Sequence, residues 1–220
     1  MEVATLSGMI PRIRRRRRGP NPGYLLLGVS AAAAGGFAVL ARQVARHETK
    51  GVDAGVRREV PKRRGRKAKR AAEALGPLGK PWFHGPVAAL LAAYARPRSR
   101  AGAAAITMSS AGSAGLTKLF ERVLAERKQP PGHPEPDEQS FPSGHALETA
   151  AVALTSAYVL AREGRADAWL AAPVALALPV ISGAGRVYLD RHWTTDVLGG
   201  LLAGVSIAAL CAAAYELGPD

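Results

Sequence analysis

The stretch VLGGLLAGVSIAALCAAAY, residues 197–215, runs for 19 positions without a charge. That is the length a helix needs to cross the hydrocarbon core of a bilayer. It shows neither the period-2 alternation nor the β-branched density of a strand. Working outward, similar apolar runs recur at residues 24–41, 81–95, 101–117, 146–161 and 168–185. Polar breakers separate them, among them Arg96-Pro97, Pro130-Pro131-Gly132 and Glu163-Gly164-Arg165. Six such runs predict an all-α fold, a six-helix integral-membrane bundle. A soluble alanine-rich bundle is the alternative, because alanine is weakly apolar and the run at 81–95 is short and contains His84. Charge-free runs of 18 or 19 residues recur, however, and soluble helices rarely show them.

The 220-residue chain has a formal net charge of +13, and the excess is N-terminal. Residues 1–80 hold 19 Lys/Arg against 5 Asp/Glu, whereas residues 81–220 hold 11 against 12. The expected organisation is a disordered basic N-terminus at 1–23, a first membrane helix at 24–41, a basic linker at 42–80 and a core bundle at 81–220. Arg12 and the run Arg14 to Arg18 resemble the charged start of a signal peptide, but no cleavage site follows, so 24–41 reads as a retained anchor. The linker's charge calls for a polyanionic partner. Anionic lipid headgroups fit a basic segment beside a membrane helix. Nucleic acid fits poorly, because no aromatic residue is interleaved in the basic block to stack on bases. Cys211 is the single cysteine, so no intrachain disulfide forms, and no Cys/His cluster has zinc spacing.

Chemistry concentrates at the ends of the apolar runs. Phe141-Pro142-Ser143-Gly144-His145 is a turn that opens into the run at 146–161. The first N–H groups of a helix lack internal partners and attract anions, and His145 stands at that mouth as a proton donor or acceptor. Ser143 is equally readable as a plain helix cap. Further on, His192 and Asp196 fall one helical turn apart. A carboxylate there can hold the imidazole Nδ1–H and leave Nε2 free to attack. A surface ion pair is the simpler reading of those two residues alone. Arg186 offers a guanidinium fork suited to phosphate oxygens. Lys118, Arg122, Arg127 and Lys128 form a basic helix end. Helix parity puts the start of the fourth run, the end of the fifth and the end of the third on one membrane face, so the predicted site lies at helix ends on that face.

These residues resemble the type-2 phosphatidic acid phosphatase superfamily, which also contains vanadium-dependent haloperoxidases and glucose-6-phosphatase. Its Pro-Ser-Gly-His motif is intact at 142–145. Its Ser-Arg, five residues, His, three residues, Asp motif is matched by Arg186, His192 and Asp196, with Gly185 in place of serine. Its Lys, six residues, Arg-Pro motif aligns with Arg122, Gln129 and Pro130, so glutamine replaces a cation that Arg127 or Lys128 would have to supply. The resemblance implies that His192 attacks phosphorus, Asp196 orients it, and His145 protonates the leaving oxygen and then activates water. Arg186, Arg122 and the backbone around Ser143 and Gly144 would hold phosphoryl oxygens. It implies no metal, in keeping with the lack of a carboxylate cluster suited to Mg²⁺, and no other cofactor. The expected function is hydrolysis of a lipid phosphate monoester or polyprenyl pyrophosphate in a multi-pass membrane protein with an extracytoplasmic site. Arg96, Arg98 and Arg100 favour that orientation, while the 13 Lys/Arg of 42–80 oppose it. Alternatives are a catalytically impaired membrane protein that binds anionic lipids and a vanadate-dependent haloperoxidase.

Overall fold

The computed structural model describes residues 21–60, 65–131, 133 and 139–218. The expected disordered segment therefore lies, up to residue 20, outside the described residues. Eight helices and no strand occur among the described residues: α1 (Pro22–Ala45), α2 (Lys50–Glu59), α3 (Arg66–Ala74), α4 (Pro81–Ala95), α5 (Arg100–Val123), α6 (Gly144–Arg162), α7 (Ala168–Tyr188) and α8 (Thr194–Leu217). Six of them cover the six apolar runs. The other two, α2 and α3, lie within the basic linker 42–80. A short 3-10 turn, Gly76–Gly79, joins α3 to α4. By length and composition α1, α7 and α8 suffice to cross a membrane; α4 is short, α6 carries Glu148, and α5 ends in Lys118, Glu121 and Arg122.

Local chemistry sets the helix ends. Asn21 Oδ1 accepts from the Gly23 N–H at 2.9 Å, with Pro22 as the first residue of α1. Ser99 and Asp167 cap α5 and α7 in the same way, at 2.8 and 2.7 Å. At its C-terminus α6 closes through Gly164, whose φ of 64° lets Arg165 N–H reach the Leu160 carbonyl. The end of α7 has the same hydrogen-bond pattern, Arg191 N–H to Arg186 O and Asp190 N–H to Val187 O. There the left-handed position belongs to Asp190, with φ of 60°, where glycine is the usual choice.

Helices α6 and α8 form the centre, with α1 against α8, and α5 and α7 against α6. Small residues allow the close approach. A Cβ on Gly204 would sit 2.5 Å from the Leu147 carbonyl oxygen and 2.6 Å from Ala150 Cβ, and one on Gly200 would sit 3.0 Å from Ala146 Cβ. Residues 200 and 204 thus form a small-xxx-small face that brings two backbones together, the packing available to helices in lipid. Ser30 and Ser206 add reciprocal hydroxyl-to-carbonyl bonds between α1 and α8, at 2.9 and 3.0 Å. The close contact at Gly200 sets the first turns of α6 and α8 side by side, and those turns carry the site.

Candidate active site

A cavity of about 330 Å³ opens where five helix ends meet. Lys80 and Pro81 come from the start of α4, Thr117 and Glu121 from the end of α5, and Gly144, His145 and Glu148 from the start of α6. Arg186 comes from the end of α7, and Arg191 and His192 from the turn before α8. Gln129 also lines it and is buried, with no hydrogen bond to Oε1 from the described residues. The two imidazoles singled out from sequence, 47 residues apart, therefore face one space. Cations from Lys80, Arg186 and Arg191 stand around it, and the Glu148 carboxylate on the wall is taken up by His84 Nε2 from α4.

The 3-10 turn roofs this space. A Cβ on Gly76 would lie 2.6 Å from Arg186 Nη2, and one on Gly79 would collide with the His145 ring. Absence of side chains at both positions lets the turn rest directly on two site residues. His145 stands at the outer end of α6, ahead of the apolar run 146–161. Burial first, then the charges of Arg186 and His192, hold its imidazole well below the ordinary histidine range.

Asp196 is completely buried and heavily engaged. Its Oδ2 accepts from the Trp193 N–H at 2.8 Å, fixing the first turn of α8 as a capping carboxylate, and also from Ser140 Oγ. Its Oδ1 accepts from Arg127 Nη1 at 2.6 Å. His192 Nδ1 lies 3.6 Å from Oδ2, an ion-pair separation longer than a hydrogen bond, and Nδ1 has no hydrogen-bond partner among the described residues.

Three expected phosphate ligands lie elsewhere. Arg122 is exposed on α5 and does not line the cavity, because α5 presents Thr117 and Glu121 there instead. Helix α5 stops at Val123, so Arg127 belongs to an extended segment rather than a helix end. Its Nη1 bonds Thr195 Oγ1 and Asp196, its Nη2 bonds Asp53 Oδ2 at 2.5 Å, and its guanidinium lies over the Trp193 ring. The Ser143 N–H is committed to the Asp196 carbonyl at 2.9 Å, and Ser143 Oγ is buried, does not cap α6 and finds no partner among the described residues. Gly144 remains at the cavity wall. Conversely, sequence reading passed over Lys80 and Asp53. Lys80 immediately precedes an apolar run whose start, by helix parity, falls on the site face; that signal was available. Asp53 had no signal beyond being an acid in a basic segment.

The fold is thus that of a membrane protein, an apolar helical bundle that closes at one end a cavity lined by His133, His145 and His192 and by the cations Lys80, Arg186 and Arg191. The sequence makes the class narrower. Residues 87–217 match the PAP2 superfamily, and the chain belongs to that family. It is 34% identical to a decaprenylphosphoryl-5-phosphoribose phosphatase of Mycobacterium tuberculosis, over 56% of this chain and 67% of that protein. It is 35% identical to phosphatidylglycerophosphatase B of Bacillus subtilis, over 41% and 49% respectively. An undecaprenyl-diphosphatase of Sulfolobus acidocaldarius matches at 33%, over 39% and 38%. The fold is shared with a transmembrane PAP2-type phosphatidylglycerolphosphate phosphatase from Bacillus subtilis, with a TM-score of 0.72, 21% identity, and coverage of 83% of this chain and 93% of that one.

Proposed function

We propose that the protein is an integral-membrane phosphatase that hydrolyses a lipid phosphate monoester or polyprenyl pyrophosphate through a phosphohistidine on His192. One observation carries the reading: His145 and His192, delivered by neighbouring helix starts, line the same cavity as Arg186 and Lys80. The relatives' names, each a phosphatase for a lipid-linked or polyprenyl phosphate, support the substrate class.

In the first step Nε2 of His192 attacks phosphorus and the bond to the leaving oxygen breaks. His145 gives that oxygen its proton. Water then attacks phosphorus of the phosphohistidine while His145 takes its proton; the bond from phosphorus to Nε2 breaks, and phosphate leaves with His192 restored. Charge on the three equatorial oxygens is met by Arg186, by Lys80 and by the free N–H groups at the start of α6. Lys80 supplies from α4 the cation that Gln129 lacks, so the altered first motif is compatible with turnover. A phosphate dianion entering this cationic space also raises the proton affinity of His145, fitting it for its role as acid. All these roles fall to side chains and backbone N–H groups of the chain itself, and the proposed reaction is independent of metal.

The loop holding Arg96, Arg98 and Arg100 is at the opposite end of the bundle from the cavity, which favours an extracytoplasmic site. Arg66, Lys67, Lys69 and Arg70 of α3 are exposed on the site end, placed to meet anionic headgroups. The test is phosphate release from lipid phosphates in vesicles containing EDTA. Turnover is expected to persist for the native chain and to vanish in His192→Ala; activity surviving that substitution ends the proposal.

A further inference from the structure

Helix α2 is anchored in an unusual way. Its one buried residue is the carboxylate Asp53, and no apolar side chain of α2 is buried. Hydrophobic burial therefore does not explain why the helix lies where it does. Its polar contacts do, and they converge on the turn that carries His192.

Asp53 and Arg57 are one helical turn apart on the same face. Arg57 grips Asp190 with two bonds, Nε to Oδ1 at 2.9 Å and Nη2 to Oδ2 at 3.1 Å, and also donates to the Pro131 carbonyl at 2.9 Å. Asp53 accepts from the Thr195 N–H at 3.0 Å and from Thr195 Oγ1 at 2.8 Å. It also accepts from Arg127, which in turn holds Asp196. The two α2 side chains thus pin the chain two residues before His192 and three residues after it.

We propose that α2 is a positioning element for the nucleophile, with Asp53 and Arg57 clamping the two flanks of the turn that presents His192. The identity of residue 190 supports this independently. Asp190 occupies the left-handed position that ends α7, where glycine is free of strain and aspartate is not. A carboxylate kept at that position has a use for its oxygens, and both are held by Arg57. Neither α2 residue lines the catalytic cavity, so their effect passes through His192 rather than through substrate. The inference rests on His192 being the nucleophile.

The test uses the full chain in detergent with dioctanoyl phosphatidic acid, comparing Arg57→Gln, Asp53→Asn, Asp190→Gly and the exchanged pair Arg57→Asp with Asp190→Arg. Turnover is normalised to folded protein, and inhibition by inorganic phosphate reports anion binding in the cavity. Misplacing a nucleophile by about 1 Å costs on the order of 10²-fold in rate. We expect kcat losses approaching that size in the three single variants, with KM and phosphate inhibition changed less than about threefold. Asp190→Gly keeps or raises the melting temperature while losing turnover, which a purely structural contact does not do. The exchanged pair recovers part of the loss. Native kcat in both Arg57→Gln and Asp190→Gly, with His192→Ala inactive, overturns the clamp and leaves the nucleophile standing. Activity in His192→Ala removes both.

Discussion

Nδ1 of His192 stands 3.6 Å from Oδ2 of Asp196, while that same carboxylate is fastened by Arg127 at 2.6 Å and by the Trp193 N–H at 2.8 Å. The carboxylate is thus immobile before the imidazole uses it. In the proposed reaction His192 takes on positive charge as its ring is phosphorylated, and there the fixed anion four residues on would stabilise it. Asp196→Asn keeps an acceptor but removes that charge. Turnover is expected to fall by about 10²- to 10⁴-fold, the range seen when a catalytic histidine loses its carboxylate. Single-turnover phosphate release on folded protein checks it, and a loss below about tenfold refutes the electrostatic role.

Lys80 gives a second prediction. Lys80→Ala removes a cation from the cavity and lowers kcat/KM by about 10- to 100-fold, while Lys80→Arg retains most of it. The sign of the pH effect follows from the neighbours of His145. Burial, Arg186 and His192 lower its proton affinity most, and Lys80 adds to them. Losing Lys80 eases protonation, so the His145 limb of the pH profile of kcat/KM, which reports the free enzyme, moves to higher pH. An unmoved or downward-shifted limb counts against Lys80 facing His145.

Gly79 tests the roof. Gly79→Ala drives a methyl group into the His145 ring, so the ring or the turn must shift. Rate is expected to drop by about tenfold or more. Gly28→Ala on α1, where a Cβ meets open space, is the matched control and leaves turnover unchanged. Equal activity in the two variants means the turn does not bear on His145.

The pair His84–Glu148 spans α4 and α6 with both side chains almost wholly buried. Removing one member strands the other, at a cost of ~3–5 kcal/mol. His84→Leu or Glu148→Leu alone should therefore lower the melting temperature sharply in detergent. The double substitution should regain much of the loss, because two apolar residues leave no polar group unmatched. Additive losses in the double variant contradict a direct pair.

Sequence and structure agree where one physical rule dominates. Long uncharged runs have few options but helices, so α1 and α4 to α8 follow from residues 24–215, and parity places the His145 and His192 turns together. Agreement fails where a position depends on tertiary partners. Helices α2 and α3 were hidden by charge density, because their composition resembles an extended linker and α2 is held by side-chain bonds to distant residues. Arg127 looked like a phosphate ligand because its charge is visible in sequence and its partners Asp53 and Asp196 are not. Arg122 stands outside the cavity for a simpler reason: spacing to Pro130 assigns it a role, but the face α5 turns toward the cavity carries Thr117 and Glu121.

At Gly200 and Gly204 helix α6, which bears His145, and helix α8, which directly follows the His192 turn, meet main chain to main chain. The spacing between the two imidazoles is thus set by atoms that every amino acid shares, apart from the requirement that these two positions stay bare. The outward-facing leucines and valines of α7 and α8 are released from that duty. That coat can therefore be exchanged, to suit a thicker membrane for example, while the cavity at the helix ends keeps its dimensions.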